Sequence, residues 1–290
     1  LSIDPNFAHD ATAAVIDHVR AGRFQQSLSF ITGASAIASA LEVSQEHYTG
    51  SFGQHVMVTP LICCALLAIV GFAGAADPYI ARACLPWVSG LLILDGVVGF
   101  AFHIRGIARK PGGWSRNLVF NIVMGPPIFA PLVLSMSGLL GLVASRLLPE
   151  TAMEQLSPQQ FDTLRYWLAA STAVYAALNG FEALYSHYKS RFDNPAQWTP
   201  IVLSPLLLLS ALAFLFWPDR SRFVFEITCA AGFLAGCIGM GFHLYGIFRR
   251  PGGTRHLIYN IIYGPPLFAP LLFAATGFLG LLATQIGLPP

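Results

Sequence analysis

The sequence contains itself twice, and this repetition limits the folds open to it more than any other feature. Residues 99–113 read GFAFHIRGIARKPGG and residues 239–253 read GMGFHLYGIFRRPGG, identical at nine of fifteen positions at an offset of 140. One residue is lost in the following loop, and residues 116–144 then match 255–283 at sixteen of twenty-nine positions, through N-x3-GPPxFAPL and GxxGL. Upstream the match is thinner and ungapped: Glu42 with Glu182, His47 with His187, Tyr48 with Tyr188, Phe52 with Phe192, and Thr59-Pro60 with Thr199-Pro200. Two copies this similar are expected to adopt one supersecondary unit each.

Each copy carries four apolar runs, at about 24–47, 57–76, 83–108 and 118–147, and again at about 164–188, 199–217, 223–248 and 257–287. A membrane helix needs roughly 20 apolar residues. Composition decides that lipid is the solvent. Hydrophobic residues make up 55% of the chain and charged residues 10%, against roughly 25% charged in a soluble domain. Trp87, Trp167, Trp198 and Trp217 fall at run ends, where interfacial aromatics belong. The sequence therefore predicts an all-α integral membrane protein of eight transmembrane helices, as two tandem four-helix repeats over 1–148 and 149–290. An even number of spans inserts both copies the same way up, which relates them by a pseudo-twofold axis along the membrane normal. The polar segments 1–22 and 148–163 are expected to form short interfacial or extramembrane helices, with Ser157-Pro158 as an N-cap and first helical residue.

Loops after the first, third, fifth and seventh spans hold nine of the sixteen Lys and Arg. The positive-inside rule then puts them in the cytoplasm and both termini outside a cell membrane. No cleavable signal peptide is legible in the first residues. A net charge of +2 without a basic tail points away from nucleic acid. The five cysteines lie within apolar runs without CxxC spacing, as small core residues do. No GxSxG, HExxH, ExxH pair or P-loop is present.

Ionisable residues inside spans are costly and mark functional sites. Glu42 and His47 end the first span and Glu182 and His187 the fifth. His103 and His243 lie near the ends of the third and seventh, and Asn121 and Asn260 one turn into the fourth and eighth. Alternating span direction brings all eight toward one face. Glu plus two His is the ligand set of a 2-His-1-carboxylate centre. This predicts two metal sites for iron or zinc, Glu42/His47/His103 and Glu182/His187/His243. The alternative is haem b, held axially by two histidines, with Arg109, Arg116, Arg249 and Arg255 near the propionates and Gly99 and Gly106 leaving room for the ring. A third reading is a buried Glu–His hydrogen bond closing the bundle end. Glu42 and His47 lie about 140° apart on a straight helix, which makes Glu42 with His103 the easier pair.

Pro126-Pro127 with Pro131, and Pro265-Pro266 with Pro270, interrupt helix bonding in the last span of each copy. They predict either a packing kink or a broken helix lining a cavity. The PGG sequences at 111–113 and 251–253 are tight turns, beside which Arg116 and Arg255 are headgroup-binding or snorkelling side chains. Asp95 lies mid-span, where the second copy has Ala235. An acid there costs roughly 2.5–3.5 kcal/mol on translocon scales, so Asp95 is the catalytic candidate, a proton carrier in the first copy alone.

The function these residues predict is a multi-pass membrane metalloprotein, the redox or electron-transfer subunit of a membrane complex. Its partners would be the lipid bilayer, other membrane or peripheral subunits or a second copy, and a quinone. The alternatives are a proton-coupled transporter or permease using the proline-broken helices, and a structural membrane anchor without chemistry.

Overall fold

The computed structural model describes residues 23–146 and 158–285, and all regular structure among them is helical. In chain order the helices are α1 (Arg23–Thr49), α2 (Thr59–Ala76), α3 (Pro78–Ala83), α4 (Leu85–Ala108), α5 (Gly113–Arg116), α6 (Leu118–Val123), α7 (Ala130–Arg146), α8 (Pro158–Lys189), α9 (Trp198–Phe216), α10 (Pro218–Arg249), α11 (Leu257–Ile262) and α12 (Ala269–Gln285). Five stretches among the described residues are long and apolar enough to cross a membrane: Gln25–Thr49, His55–Ala76, Leu85–Ala108, Pro195–Phe216 and Pro218–Arg249. α7 and α12 are apolar and shorter. The chain is a helical membrane protein. The expected polar helix at 1–22 lies outside the described residues, as do 148–157. Residues 158–163 belong to the start of α8 and form no helix of their own.

Local chemistry sets the helix boundaries. Asp77 caps α3 by accepting the Tyr79 amide at 2.8 Å, with Pro78 at the first helical position, where a missing N–H costs nothing. Pro86 lies in the first turn of α4 and separates it from α3. The repeat places Glu226 there, which keeps its amide, and α10 runs unbroken over 32 residues.

α1 packs on α2, α2 on α4, α4 on α7, and α7 closes back on α1. α8 packs on α9, α9 on α10, α10 on α12, and α12 closes back on α8. α7 also packs against α8. Buried Leu67, Leu85, Leu92 and Leu140 fill the first ring, and Leu207, Phe225, Cys229 and Leu279 the second. Backbones approach closely where α4 meets α7 and α10 meets α12. A Cβ on Gly96 would lie 2.5 Å from the Pro131 carbonyl oxygen, and one on Gly236 would lie 2.6 Å from that of Pro270. Only glycine lets these helices touch at that distance.

The fourth apolar run of each half is not one helix. α6 ends at Val123 and α7 begins at Ala130; α11 ends at Ile262 and α12 begins at Ala269. Each gap holds Gly-Pro-Pro, and proline both removes an amide donor and clashes with the preceding turn. Of the two expectations for these prolines, kink or break, the backbone takes the break.

Candidate site at the helix breaks

A broken helix leaves amides and carbonyls without intrahelical partners. Proline reduces the amide side of that debt, since Pro126, Pro127 and Pro131 have no N–H. Of the amides left, that of Phe129 donates to Glu182 Oε1, and that of Ala130 lies near the same carboxylate. In the other half, the Phe268 amide donates to Glu42 Oε2 at 3.0 Å. On the carbonyl side, His103 Nδ1–H donates to the Pro127 oxygen and His243 Nδ1–H to the Pro266 oxygen. A carbonyl oxygen only accepts, so Nδ1 carries the proton in both rings, and Nε2 of the neutral ring remains an acceptor. Each break is therefore held by a histidine from its own half and a glutamate from the other half.

The structure does not bring the expected ligand sets together as groups of three. Glu42 does not join His47 and His103. It meets His243 through the 266–268 backbone, and Glu182 meets His103 through 127–129. Among the described residues, no group of three His, Cys, Asp or Glu could hold a metal ion. The physical reason is that both carboxylates are taken by helix-terminal amides of the opposite half. What remains near each break is a histidine pair: His47 is within electrostatic range of His103, and His187 of His243. His47 Nδ1–H donates to the Met57 carbonyl at 2.7 Å.

The room expected for haem at Gly99 and Gly106 is occupied. A Cβ on Gly99 would lie 3.0 Å from Pro131 Cβ, and one on Gly106 would lie 3.2 Å from Pro126 Cγ. These glycines seat the prolines of the broken helix. Arg109, Arg116, Arg249 and Arg255 are exposed around the PGG turns, with Arg249 over the Tyr245 ring at 5.6 Å. The turns are pinned by the duplicated asparagines. Asn121 Nδ2 donates to the carbonyls of Pro111 at 3.1 Å and Gly113 at 2.8 Å. Asn260 Nδ2 donates to those of Pro251 at 3.3 Å and Gly253 at 3.0 Å. Gly112 and Gly252 have φ of 84° and 83°, a left-handed conformation that favours glycine.

Asp95 is half-buried, and its Oδ1 lies 2.5 Å from the Thr59 hydroxyl, which joins α4 to α2. The other half links the corresponding helices by Ser210 and Thr228 hydroxyls at 2.6 Å.

Several residues at this site escaped the search for duplicated positions. The chain has only two lysines, Lys110 and Lys189, and they lie within electrostatic range of each other. Lys189 also acts on Glu46 and Glu182, and its Nζ lies 4.8 Å from the centre of the Tyr185 ring. The buried Tyr185 hydroxyl lies near the Glu182 carboxylate and acts on it. The other copy has Gln45, Ser186 and Thr49 in the places of Tyr185, Glu46 and Lys189. The signal that finds these residues is a difference between the copies one turn from a shared acid.

No protein-family model matches this chain, and no solved structure matches it. A curated relative, NADH-ubiquinone oxidoreductase chain 5 of Rhizopus stolonifer, is 27% identical over 211 residues, which is 68% of this chain and 29% of that protein. The chain thus spans less than a third of the length of the relative it is similar to.

Proposed function

We propose that the chain is a membrane subunit of a redox complex. It is built as two four-helix units, 1–148 and 149–290, whose eight spans place the helix breaks and PGG turns at one face, on the cytoplasmic side. The similarity to a chain of an NADH–ubiquinone oxidoreductase carries this reading. It supports membrane or peripheral partner subunits and a quinone as the redox partner. Asp95, tied to Thr59 within the first unit, is its proton-carrying group.

The test is mild-detergent purification of the tagged chain from its native membrane, followed by identification of co-purifying proteins and a quinone-reduction assay on membranes lacking it. Co-purification with redox subunits and a lowered quinone-dependent rate are expected. A chain that purifies without redox subunits, from membranes whose rate does not depend on it, overturns the reading.

A second reading puts a metal ion on each histidine pair, Arg side chains supplying counter-charge to an anionic ligand nearby. The observation favouring it is that His47, His103 and His243 all donate Nδ1–H to a backbone carbonyl, the contact a metal-ligating histidine usually makes through its other ring nitrogen. Metal analysis decides it: iron or zinc near two per chain supports the pairs, and metal-free protein that is otherwise intact removes them.

A further inference from the structure

The two helix breaks have the same sequence pattern but are held differently. Phe129, in the first break, lies between Phe100 of α4, stacked at 5.7 Å, and Phe181 of α8, edge-on at 5.0 Å. The repeat replaces these rings by Met240 and Leu41. Glu182 takes the Phe129 amide of the first break and lies beside Tyr185, whose ring carries Lys189 at 4.8 Å. Glu42 takes the Phe268 amide of the second break, and the charged group acting on it is another acid, Glu46. Gln45, one turn along α1, donates to the Ile262 carbonyl at 3.3 Å, so both polar holds on the second break other than His243 come from the end of α1. Ile128 in the first break is buried, whereas its counterpart Leu267 is half-buried.

The helix seams differ in the same sense. Both parts of the first broken helix, α6 and α7, pack on α8. Between α1 and α12 the described residues leave a cavity of about 270 Å³, walled by Leu28, Ile31, Phe278, Leu281 and Leu282. Where two helices leave open space between them they share fewer dispersion contacts, and the seam resists movement less.

We propose that the seam between α1 and α12 is the moving one. The 263–268 break is a gate latched to α1 by Glu42 and Gln45, and the 124–129 break is a fixed wedge. A small shift of the α1 end releases both holds at once and exposes the 263–268 backbone at the face of the breaks. The corresponding shift of α8 would have to separate Phe181 from Phe129 as well as withdraw the Glu182 carboxylate from the Phe129 amide. The device does not depend on the redox assignment, since it follows from packing and hydrogen bonding alone.

Hydrogen–deuterium exchange on the full chain in lipid nanodiscs tests it. In the unaltered protein, the amides of Tyr263, Gly264, Leu267, Phe268 and Ala269 should exchange about tenfold faster than those of Met124, Gly125, Ile128, Phe129 and Ala130, about the effect of one net charge-assisted hydrogen bond. In the Glu42→Ala/Gln45→Ala variant, exchange at 263–269 should rise about tenfold further while 124–130 stays unchanged. Equal protection of the two breaks in the unaltered protein overturns the proposal. So does a double variant that leaves 263–269 as protected as before. The first comparison needs no substitution and stands even if the variant does not fold.

Discussion

The carboxylate of Glu42 accepts the amide proton of Phe268, 226 positions away, at 3.0 Å. Glu182 does the same for Phe129 in the opposite direction. Each half of the chain supplies the acid that caps a restarted helix in the other half. A carboxylate at a helix N-terminus meets both unpaired amides and the positive end of the helix dipole. The arrangement makes the two halves complete each other at two points.

Removing the Glu182 carboxylate should therefore destabilise the whole protein and not one helix end. Glu182→Ala leaves the Phe129 amide without its acceptor, at a cost of about 1–3 kcal/mol for a buried group left unsatisfied. Glu182→Gln retains an oxygen acceptor and should lose about half as much. Thermal unfolding in detergent, read by circular dichroism, checks the order: Ala below Gln below parent. Equal stability of all three would show that water already satisfies this amide.

The duplicated asparagines are expected to control the PGG turns. Asn121→Ala removes both donors to the Pro111 and Gly113 carbonyls, and Asn260→Ala does the same to Pro251 and Gly253. Each should cost about 1–3 kcal/mol and speed limited proteolysis at the basic residues of that turn, Arg109 to Arg116 or Arg249 to Arg255. Cleavage rates that rise at neither turn contradict the pinning role.

Two glycines on α4 give opposite expectations. A Cβ on Gly96 would lie 2.1 Å from Ser135 Oγ and 2.5 Å from the Pro131 carbonyl, while one on Gly90 would meet nothing within 4 Å. Gly96→Ala should lower stability by about 1–3 kcal/mol through overpacking. Gly90→Ala should raise it by up to about 1 kcal/mol through helix propensity. The pair is measured side by side by thermal unfolding, and equal effects would contradict the close approach of α4 and α7.

Asp95→Ala makes the first half resemble the second, which has Ala235. The Thr59 hydroxyl keeps the Val56 carbonyl at 2.9 Å as a partner, so stability should change by less than about 1 kcal/mol. On the proposed function, the quinone-dependent rate should fall, and Asp95→Asn should fall with it because an amide carries no exchangeable acid proton. An unchanged rate accompanied by a large stability loss makes Asp95 a structural hydrogen-bonding residue.

Much of the helical framework was legible because lipid allows little else. Apolar runs of about 20 residues, interrupted by polar turns, leave helices as the available structure. Pro126-Pro127 and Pro265-Pro266 announced an interruption because proline cannot donate, although the sequence left both kink and break open. Glu42, His103, Glu182 and His243 could be picked out as the costly polar residues near one face. Their pairing could not. Depth in the membrane follows from position along a helix, but the partner of a side chain depends on its rotation toward a neighbour and on which helices the rings bring together. The expected metal sets assumed partners within one half.

The sequence by itself determined the membrane-helical class, the internal repetition and the identity of the polar residues, because burial in lipid and loss of amide donors act locally along the chain. Only the tertiary structure decided that Glu42 serves Phe268 and Glu182 serves Phe129. It also decided that prolines fill the space beside Gly99 and Gly106. Those outcomes are set where helices from distant parts of the chain meet, and no local rule connects residues 226 positions apart.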